Sequence, residues 1–548
     1  MNVGQGKKIV FWGTGNIADA CLKQFPDTRP YFYIDSNWNT TETFHGIPVS
    51  RPDDIKKWDD LFVVIAVSTA AYEEIEDVLK KKGLEKEKDY VNFRDFFGYH
   101  RKTVMENLAY INDFIHKNNI YKKSTLIITS LFTGRITDIM INFFRSYAQK
   151  KGSGKCVFFS PLGVMNEEYA EKQMGFPVFD LPQICLWSGG ENENITEPDE
   201  TLKHVEALSM EEREWLEYME QRKTCSDKEL AFRINTEIYF YYKKVFEMLR
   251  PKEVIIWGGW LRLCYILAEI SKRNNIPFGF MEVGWIPGTF QFDRRGIAGQ
   301  SEYAVCPEKI LDLTVKNKAM DVKAIREYIK KVQLDNGKFR ANDIDEKNFL
   351  RIDKTRKTIF FVGMGDFGLG INPQSEYWYE YVSAYFRSTQ EAVLYVSKIC
   401  ERNKWNFVFK PHPRQVKDTE IISEDLPPNV IYIRDMKIDR LIEVSDVVVS
   451  IASAVNYKAL IYGKPLVSLG HTTLQKKGCC YEPENIADIE IQLKLAVDNG
   501  MTVEQNENFE LHMAQLLENY LWDDLSVRDL RYGLTLETDF FCKNDDMA

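Results

Sequence analysis

Apolar residues along this chain fall into two patterns. Short unbroken runs such as LFVVIAVS (Leu61 to Ser68), EVIIWGG (Glu253 to Gly259) and KTIFFVG (Lys357 to Gly363) are apolar on both faces of an extended chain. That is how a parallel strand reads when helices cover it above and below. Between the runs, apolar positions recur with helical spacing, as in AYEEIEDVLKKKGL, and predict amphipathic helices. Their alternation predicts βαβ units and hence an α/β fold class.

Taken in order, the pattern divides the chain. A strand (Ile9 to Trp12), a glycine turn, a helix and strands at Tyr31 to Asp35 and Leu61 to Ser68 predict a small Rossmann-like domain over 1–98. A helical bridge occupies 99–123. An α/β lobe over 124–315 takes strands at Ser124 to Ser130, Lys155 to Ser160, Glu253 to Gly259 and Ile276 to Gly284. It also takes a helix over Ile136 to Lys150, a charged helical insertion over Glu191 to Leu249 and a helix over Leu261 to Asn274. A charged helical linker spans 316–356. A second lobe over 357–500 takes strands at Lys357 to Gly363, Phe407 to Lys410, Val430 to Ile433, Asp446 to Ser450 and Pro465 to Gly470, with helices over Gln390 to Asn403 and Ala454 to Tyr462. The remaining 501–548 reads as helical.

Composition narrows the class. With 548 residues, 44% of them hydrophobic and 13% aromatic, the chain is expected to be a multi-domain globular protein. No run approaches the roughly 18 apolar residues of a membrane span, and the first residues are polar, so a cytoplasmic location is expected. A net charge of -10 argues against a general nucleic-acid binder, which needs clustered cations. The ten cysteines lack metal-ligand spacing and are expected to be reduced thiols. No metal site and no cofactor are expected.

Five motifs carry candidate chemistry. In FKPHPR, Pro411 and Pro413 end an apolar strand and hold the backbone extended on either side of His412, at the strand edge where α/β sheets bind ligands. The imidazole could donate to a phosphate flanked by Lys410 and Arg414; a solvated loop is the plain alternative. SDVVVSIASAV puts Ser450 at a strand end and Ser453 at a helix start, where hydroxyls and free N–H groups suit an anion or simply cap the helix. MEVGWIPGTFQFDRRG carries Glu282 at a strand end, as general base, nucleophile or surface carboxylate. GMGDFG (Gly363 to Gly368) reads as a strand-to-helix connection, with a flexible loop over a sugar-phosphate as the other reading. GTGNIA (Gly13 to Ala18), with Asp35 ending the next strand, fits a dinucleotide fingerprint in which Gly13 and Gly15 let a pyrophosphate approach, or else a tight turn without a ligand.

Taken together and in this order, three of these motifs resemble the bacterial capsular polysaccharide biosynthesis family, which includes the Kdo transferases and is distantly similar to bacterial sialyltransferases. The likeness spans residues 124 to about 490 and rests on MEVGWIPGTFQFDRRG, KPHP and SIASAVNYKALIYGKPLVSLG. It implies a GT-B fold, two facing Rossmann-like lobes with the site between them, acting without a metal. It further implies a CMP-linked sugar donor whose phosphate lies among Lys410, His412, Pro413, Arg414, Ser450 and Ser453. Glu282 would then serve as base or nucleophile. The chain departs from the pattern at Val283, where the sialyltransferase-like members carry a second acid.

The amino-terminal unit is similar to the small Rossmann-like domains that begin some sugar-modifying and sugar-transferring bacterial enzymes. The implied partners are a nucleotide-sugar donor, a glycan or glycolipid acceptor and capsule assembly proteins, with a peripheral position at the inner face of the cell membrane. Two other readings stand beside this one: a polyol-phosphate transferase of the teichoic-acid type with a CDP-linked donor, and a non-catalytic nucleotide-sugar-binding scaffold.

Overall fold

The structure is a computed structural model. It describes residues 6–36, 43–67, 69–98, 102–129, 144–145, 156–161, 167–186, 201–221, 227–259, 261–286, 289–315, 322–335, 343–366, 372–412 and 426–523. The chain divides into two compact units, Met1–Leu186 with Tyr241–Trp257, and Trp187–Phe240 with Gly258–Ala548.

In the first unit, β1 (Lys8–Trp12), β2 (Tyr33–Ile34), β3 (Thr43–Phe44), β4 (Ile47–Ser50), β5 (Leu61–Ile65) and β6 (Tyr90–Asn92) form one sheet in the order β3-β4-β2-β1-β5-β6. All its pairings are parallel except β3 with β4. Both faces of β1 and β5 are buried, as their unbroken apolar runs require. Strand order reverses at β1, which has β2 on one side and β5 on the other. The helix α1 (Asn16–Gln24) follows it. The same unit holds β7 (Thr125–Ile128), β8 (Cys156–Ser160), β9 (Val178–Asp180) and β10 (Glu253–Trp257), parallel and neighbours in the order β10-β7-β8-β9. The expected helix over 136–150 lies almost wholly outside the described residues.

The second unit carries the helices α2 (Met210–Gln221) and α3 (Arg262–Arg273), then the antiparallel pair β11 (Phe278–Val283) and β12 (Thr289–Asp293). α4 (Val322–Asp335) falls in the stretch expected to be a charged helical linker. Next come β13 (Thr358–Val362), β14 (Asn406–Lys410), β15 (Val430–Tyr432), β16 (Val447–Ser450) and β17 (Leu466–Ser468), an all-parallel sheet in the order β15-β14-β13-β16-β17. Alternate residues of its strands enter two separate cores. Phe360, Val362, Val408 and Val448 face one side; Ile359, Phe361, Phe407, Phe409 and Val449 face the other. Each such side chain contributes on the order of 1.5–3 kcal/mol by burial. The helix α5 (Thr389–Arg402) covers the second face through Val393, Val396 and Cys400. On the first face lie α6 (Val455–Ile461) and α7 (Val503–Asn519), the latter opened by a Thr502/Gln505 capping box.

The α/β class with Rossmann-like sheets is borne out. The carboxy-terminal segment, expected to be helical, carries α7 and then extends into β18 (Leu521–Asp523), which pairs antiparallel with β12. No helix among the described residues is long and apolar enough to cross a membrane.

Two buried contacts fasten α7. Trp285, three residues past Glu282, stacks between Tyr457 and Tyr520 at 5.7 Å from each, with interplanar angles of 10° and 16°. The Tyr457 hydroxyl in turn meets His512 Nε2 of α7 at 2.9 Å, and burial keeps that imidazole neutral by lowering its pKa to about 3. Arg326 of α4 donates to Asn506 at 2.7 Å, to Glu510 at 2.9 Å and to the Leu460 carbonyl at 2.9 Å, so one guanidinium joins three helices. Arg326→Met is expected to destabilise the protein by roughly 2–4 kcal/mol, because it leaves acceptors without a donor in a largely dry site. A lower urea midpoint checks this; an unchanged midpoint would mean the junction is held by packing alone.

Candidate functional site

The carboxyl ends of β14, β13 and β16 lie side by side, and Val362 pairs with Lys410 on one flank and Ser450 on the other. At a strand spacing of about 4.8 Å, the row spans roughly 10 Å. Just beyond it the backbones of two loops touch. Gly363 N–H donates to the Lys410 carbonyl at 2.8 Å, and a Cβ at position 363 would fall 2.8 Å from that oxygen and 2.9 Å from Pro411 Cα. Only glycine fits there. Two residues on, a Cβ at Gly365 would sit 3.1 Å from His412 Nδ1, so the half-buried imidazole rests against bare backbone. Pro411 is buried, as a strand-ending proline can be once its missing N–H is not needed. Pro413 and Arg414 lie outside the described residues.

The glycine loop is tied down by Asp366. Its carboxylate accepts the Thr389 N–H at 2.7 Å and the Thr389 hydroxyl at 2.5 Å, at the start of α5. Burial pushes Asp366 up to about 6, against the opposing pull of those two donors. Sequence reasoning missed this anchor. The signal available was an acid inside a glycine-rich turn, but its partner lies 23 residues away.

The remaining residues of the row are engaged within the protein. Lys410 Nζ donates to the Arg434 carbonyl, near Asp435 and Asp345, and burial lowers its pKa. The structure therefore directs this cation to the β15 side of the sheet. Ser450 is inaccessible, and its hydroxyl donates to Asn456 Oδ1 on α6. Ser453 is half-buried and accepts the Val455 N–H at 3.2 Å, while Asn456 N–H goes to the Ser453 carbonyl at 3.1 Å. The serine turn thus closes on itself, with the Ser453 side chain half-buried and Ala454 exposed beside it.

Glu282, next to last in β11, is half-buried, with Oε1 accepting the Val283 N–H at 2.9 Å. A Cβ on Gly258, a residue with φ of +79°, would lie 3.9 Å from Glu282 Oε2, which places the carboxylate beside that turn. Val283 is exposed at 37%. Across the sheet, the motif's Asp293 is buried, its pKa raised by burial to about 6. It accepts the N–H groups of Arg295, Gly296 and Glu302 and the Tyr520 hydroxyl. Asp293 therefore shapes the loop after β12 and touches the end of α7; it is a positioning group.

The amino-terminal motif forms a separate constellation at the reversal of strand order. Gly13 has φ of +122°, and a Cβ there would meet the Ala66 carbonyl at 2.6 Å. Gly15 precedes α1 with open space around it, and no side chain caps the helix. Asp35 accepts the Thr14 hydroxyl. The two glycines and the acid are brought together, as the fingerprint requires, at the carboxyl ends of β1 and β2.

Residues 381–493 match the family described as capsule polysaccharide biosynthesis protein. The matched stretch includes His412, Ser450 and Ser453, and it is shorter than the span of resemblance read from the sequence. No curated protein matches the chain. Among solved structures, it is similar to the β-Kdo 2,7 transferase of Thermosulfurimonas dismutans KpsC, with 16% identity over 53% of this chain and 84% of that one and a TM-score of 0.34. It is also similar to the UDP-GlcNAc 2-epimerase of Methanocaldococcus jannaschii, with 11% identity, coverage of 72% and 99% and a TM-score of 0.33. The α,α-trehalose 6-phosphate synthase of Burkholderia multivorans shows 11% identity, coverage of 72% and 95% and a TM-score of 0.38. At these TM-scores the likenesses are too slight to argue from, and the family match is what bears on function.

The raised Asp366 pKa has a signed consequence for stability. Between its ordinary value, near 3.9, and about 6, the folded chain holds this proton more tightly than the unfolded chain does. Its contribution is therefore fully present below about pH 4 and is lost as pH rises through 6. Relative to the parent, Asp366→Asn is expected to gain stability as pH rises from about 4 to about 6. Urea unfolding across that range checks it; parallel pH profiles would show that Asp366 titrates normally.

Proposed function

We propose that this chain is a glycosyltransferase of capsule polysaccharide synthesis that takes a sugar from a CMP-linked donor and passes it to a glycan or glycolipid acceptor. The observation that carries this reading is the packing of His412, itself inside the segment that matches the capsule family, on Gly365 at the carboxyl edge of an all-parallel sheet. That edge is where open α/β sheets bind nucleotides.

In this reading the donor phosphate lies against His412, with the Ser453 hydroxyl beside it. Cleavage of the anomeric C–O bond leaves negative charge on the departing phosphate and cationic character on the sugar. A fixed imidazole N–H aimed at that phosphate stabilises the charge as it develops and costs no reorganisation at that moment. Glu282 takes the proton from the attacking acceptor hydroxyl. Lys410 and Ser450 support the site from behind: the first holds the β14 edge to Arg434, the second holds the serine turn through Asn456. The glycine pair Gly13 and Gly15 with Asp35 forms a nucleotide-type site of the amino-terminal domain, apart from the transfer chemistry.

Two measurements test this. Thermal shift and hydrolysis against CMP-, CDP-, UDP- and GDP-linked sugars should show stabilisation and turnover with the CMP-linked compounds; a response confined to UDP- or GDP-sugars would overturn the donor assignment. His412→Ala should lower turnover by about 100- to 1000-fold with an unchanged unfolding midpoint. Turnover equal to that of the parent would remove His412 from the site.

A further inference from the structure

Gly365, the main chain on which His412 rests, is held from both sides by a single residue of another element. Thr389 is the first residue of α5, and its hydroxyl lies 2.5 Å from Asp366 Oδ1, 3.4 Å from the Met364 nitrogen and 3.3 Å from the Met364 carbonyl oxygen. A hydroxyl has one hydrogen to give. The nearer, charged carboxylate takes it, which leaves the oxygen to accept the Met364 N–H. The Thr389 N–H adds a second bond to Asp366, at 2.7 Å on the other carboxylate oxygen. One residue therefore grips the chain immediately before Gly365 and immediately after it.

Neighbouring contacts complete the frame. Gly363 N–H donates to the Lys410 carbonyl at 2.8 Å, so the glycine loop is tied to β14 at one end and to α5 at the other. His412 follows Lys410 by two residues, and a Cβ at 365 would stand 3.1 Å from its Nδ1 and 3.6 Å from its Cε1. Gly365 has no side chain to hold its own place. Its position is inherited from Met364 and Asp366, and the ring inherits its seat from Gly365. Asp366 is 3% exposed and Thr389 not at all, so solvent does not compete for these bonds. A buried carboxylate costs desolvation that a neutral turn residue would avoid. What it adds is stiffness, since hydrogen bonds to an ionised acceptor are shorter and about twice as strong as neutral ones. An ordinary connection has no use for that stiffness; a seat that must hold an imidazole to within about 0.5 Å does.

We propose that Thr389 is a positioning residue of the transfer site: it fixes Gly365 and, through it, the direction in which His412 presents its N–H to the donor phosphate. This rests on the reading of His412 as that donor. The full-length protein, isotope-labelled at the rings of its seven histidines, is followed by magnetic resonance, and the signal lost in His412→Ala reports that ring. Thr389→Val keeps the shape and removes the hydroxyl; Thr389→Ser restores it. In Thr389→Val the His412 signal is expected to move and kcat with a CMP-linked sugar to fall about tenfold at little-changed KM, and Thr389→Ser should recover both. In the His412→Ala background, Thr389→Val should lower turnover no further, because the two residues act through one group. Ser397→Ala, which deletes a buried hydroxyl bonded within the same helix, should leave both readings as in the parent. Should Thr389→Val not fold, Asp366→Asn weakens the same bond from its other end and is read in the same way. A His412 signal that stays in place, or a loss of turnover as large with His412→Ala as without it, overturns the proposal. A signal that moves in a protein whose turnover is unchanged or absent supports the grip of Thr389 on the ring and sinks the transfer role of His412 instead.

Discussion

Trp285 sits between two tyrosines, and much of the second unit depends on that stack. Its ring is carried by the turn that follows Glu282, while its neighbours belong to α6 and to the end of α7. Gly284 lets the turn close, since a Cβ there would fall 2.1 Å from Thr289 Oγ1. Beyond Tyr520 the chain becomes β18 and adds to β12. The indole therefore fixes, in one place, the acid-bearing strand end, the helix after the serine turn and the return of the carboxy-terminal segment. Offset aromatic stacks add about 0.5–1.5 kcal/mol apiece beyond the area they bury. Here the geometric effect matters more than the energy, because three segments distant in sequence are held to one ring.

The loops that border the candidate site share a second device. Each is organised by a carboxylate that accepts from the main chain, once with a hydroxyl beside it at Asp366 and three times at Asp293. Asp366 does this for the glycine loop and Asp293 for the turn after β12. An acid so used is satisfied without a cation beside it. Those donors pull each pKa down and burial outweighs them, so the raised values of both acids mark buried anchors.

Much of this was legible in the sequence, and what was not has a common cause. The long runs around β1, β5, β10, β13 and β16 were readable because strands buried on both faces cannot be written any other way. The short strands β3, β4 and β18 were not, and neither was β12, which lies between β11 and β18 and meets a partner more than two hundred residues downstream, as Phe290 opposite Trp522 shows. At the site, His412 could be located because proline limits backbone freedom locally. The destinations of Lys410 and Ser450 could not, because Arg434 and Asn456 are chosen by tertiary packing. A residue's type shows what chemistry it could offer; whether that chemistry is already spent on a neighbour is a three-dimensional fact.

The contact between His412 and Gly365 bears on how this surface could be redesigned. An imidazole that rests on a side chain can be re-aimed by changing that side chain. One that rests on main chain offers no such handle, and the glycine at 363 is closed by a carbonyl as well. Variation that reshapes this surface must therefore enter at the half-buried Ser453 and the exposed Val283, while the floor beneath the histidine stays the same. A randomised library built across these positions would return glycine at 363, where main chain closes the space, and more diversity at the others.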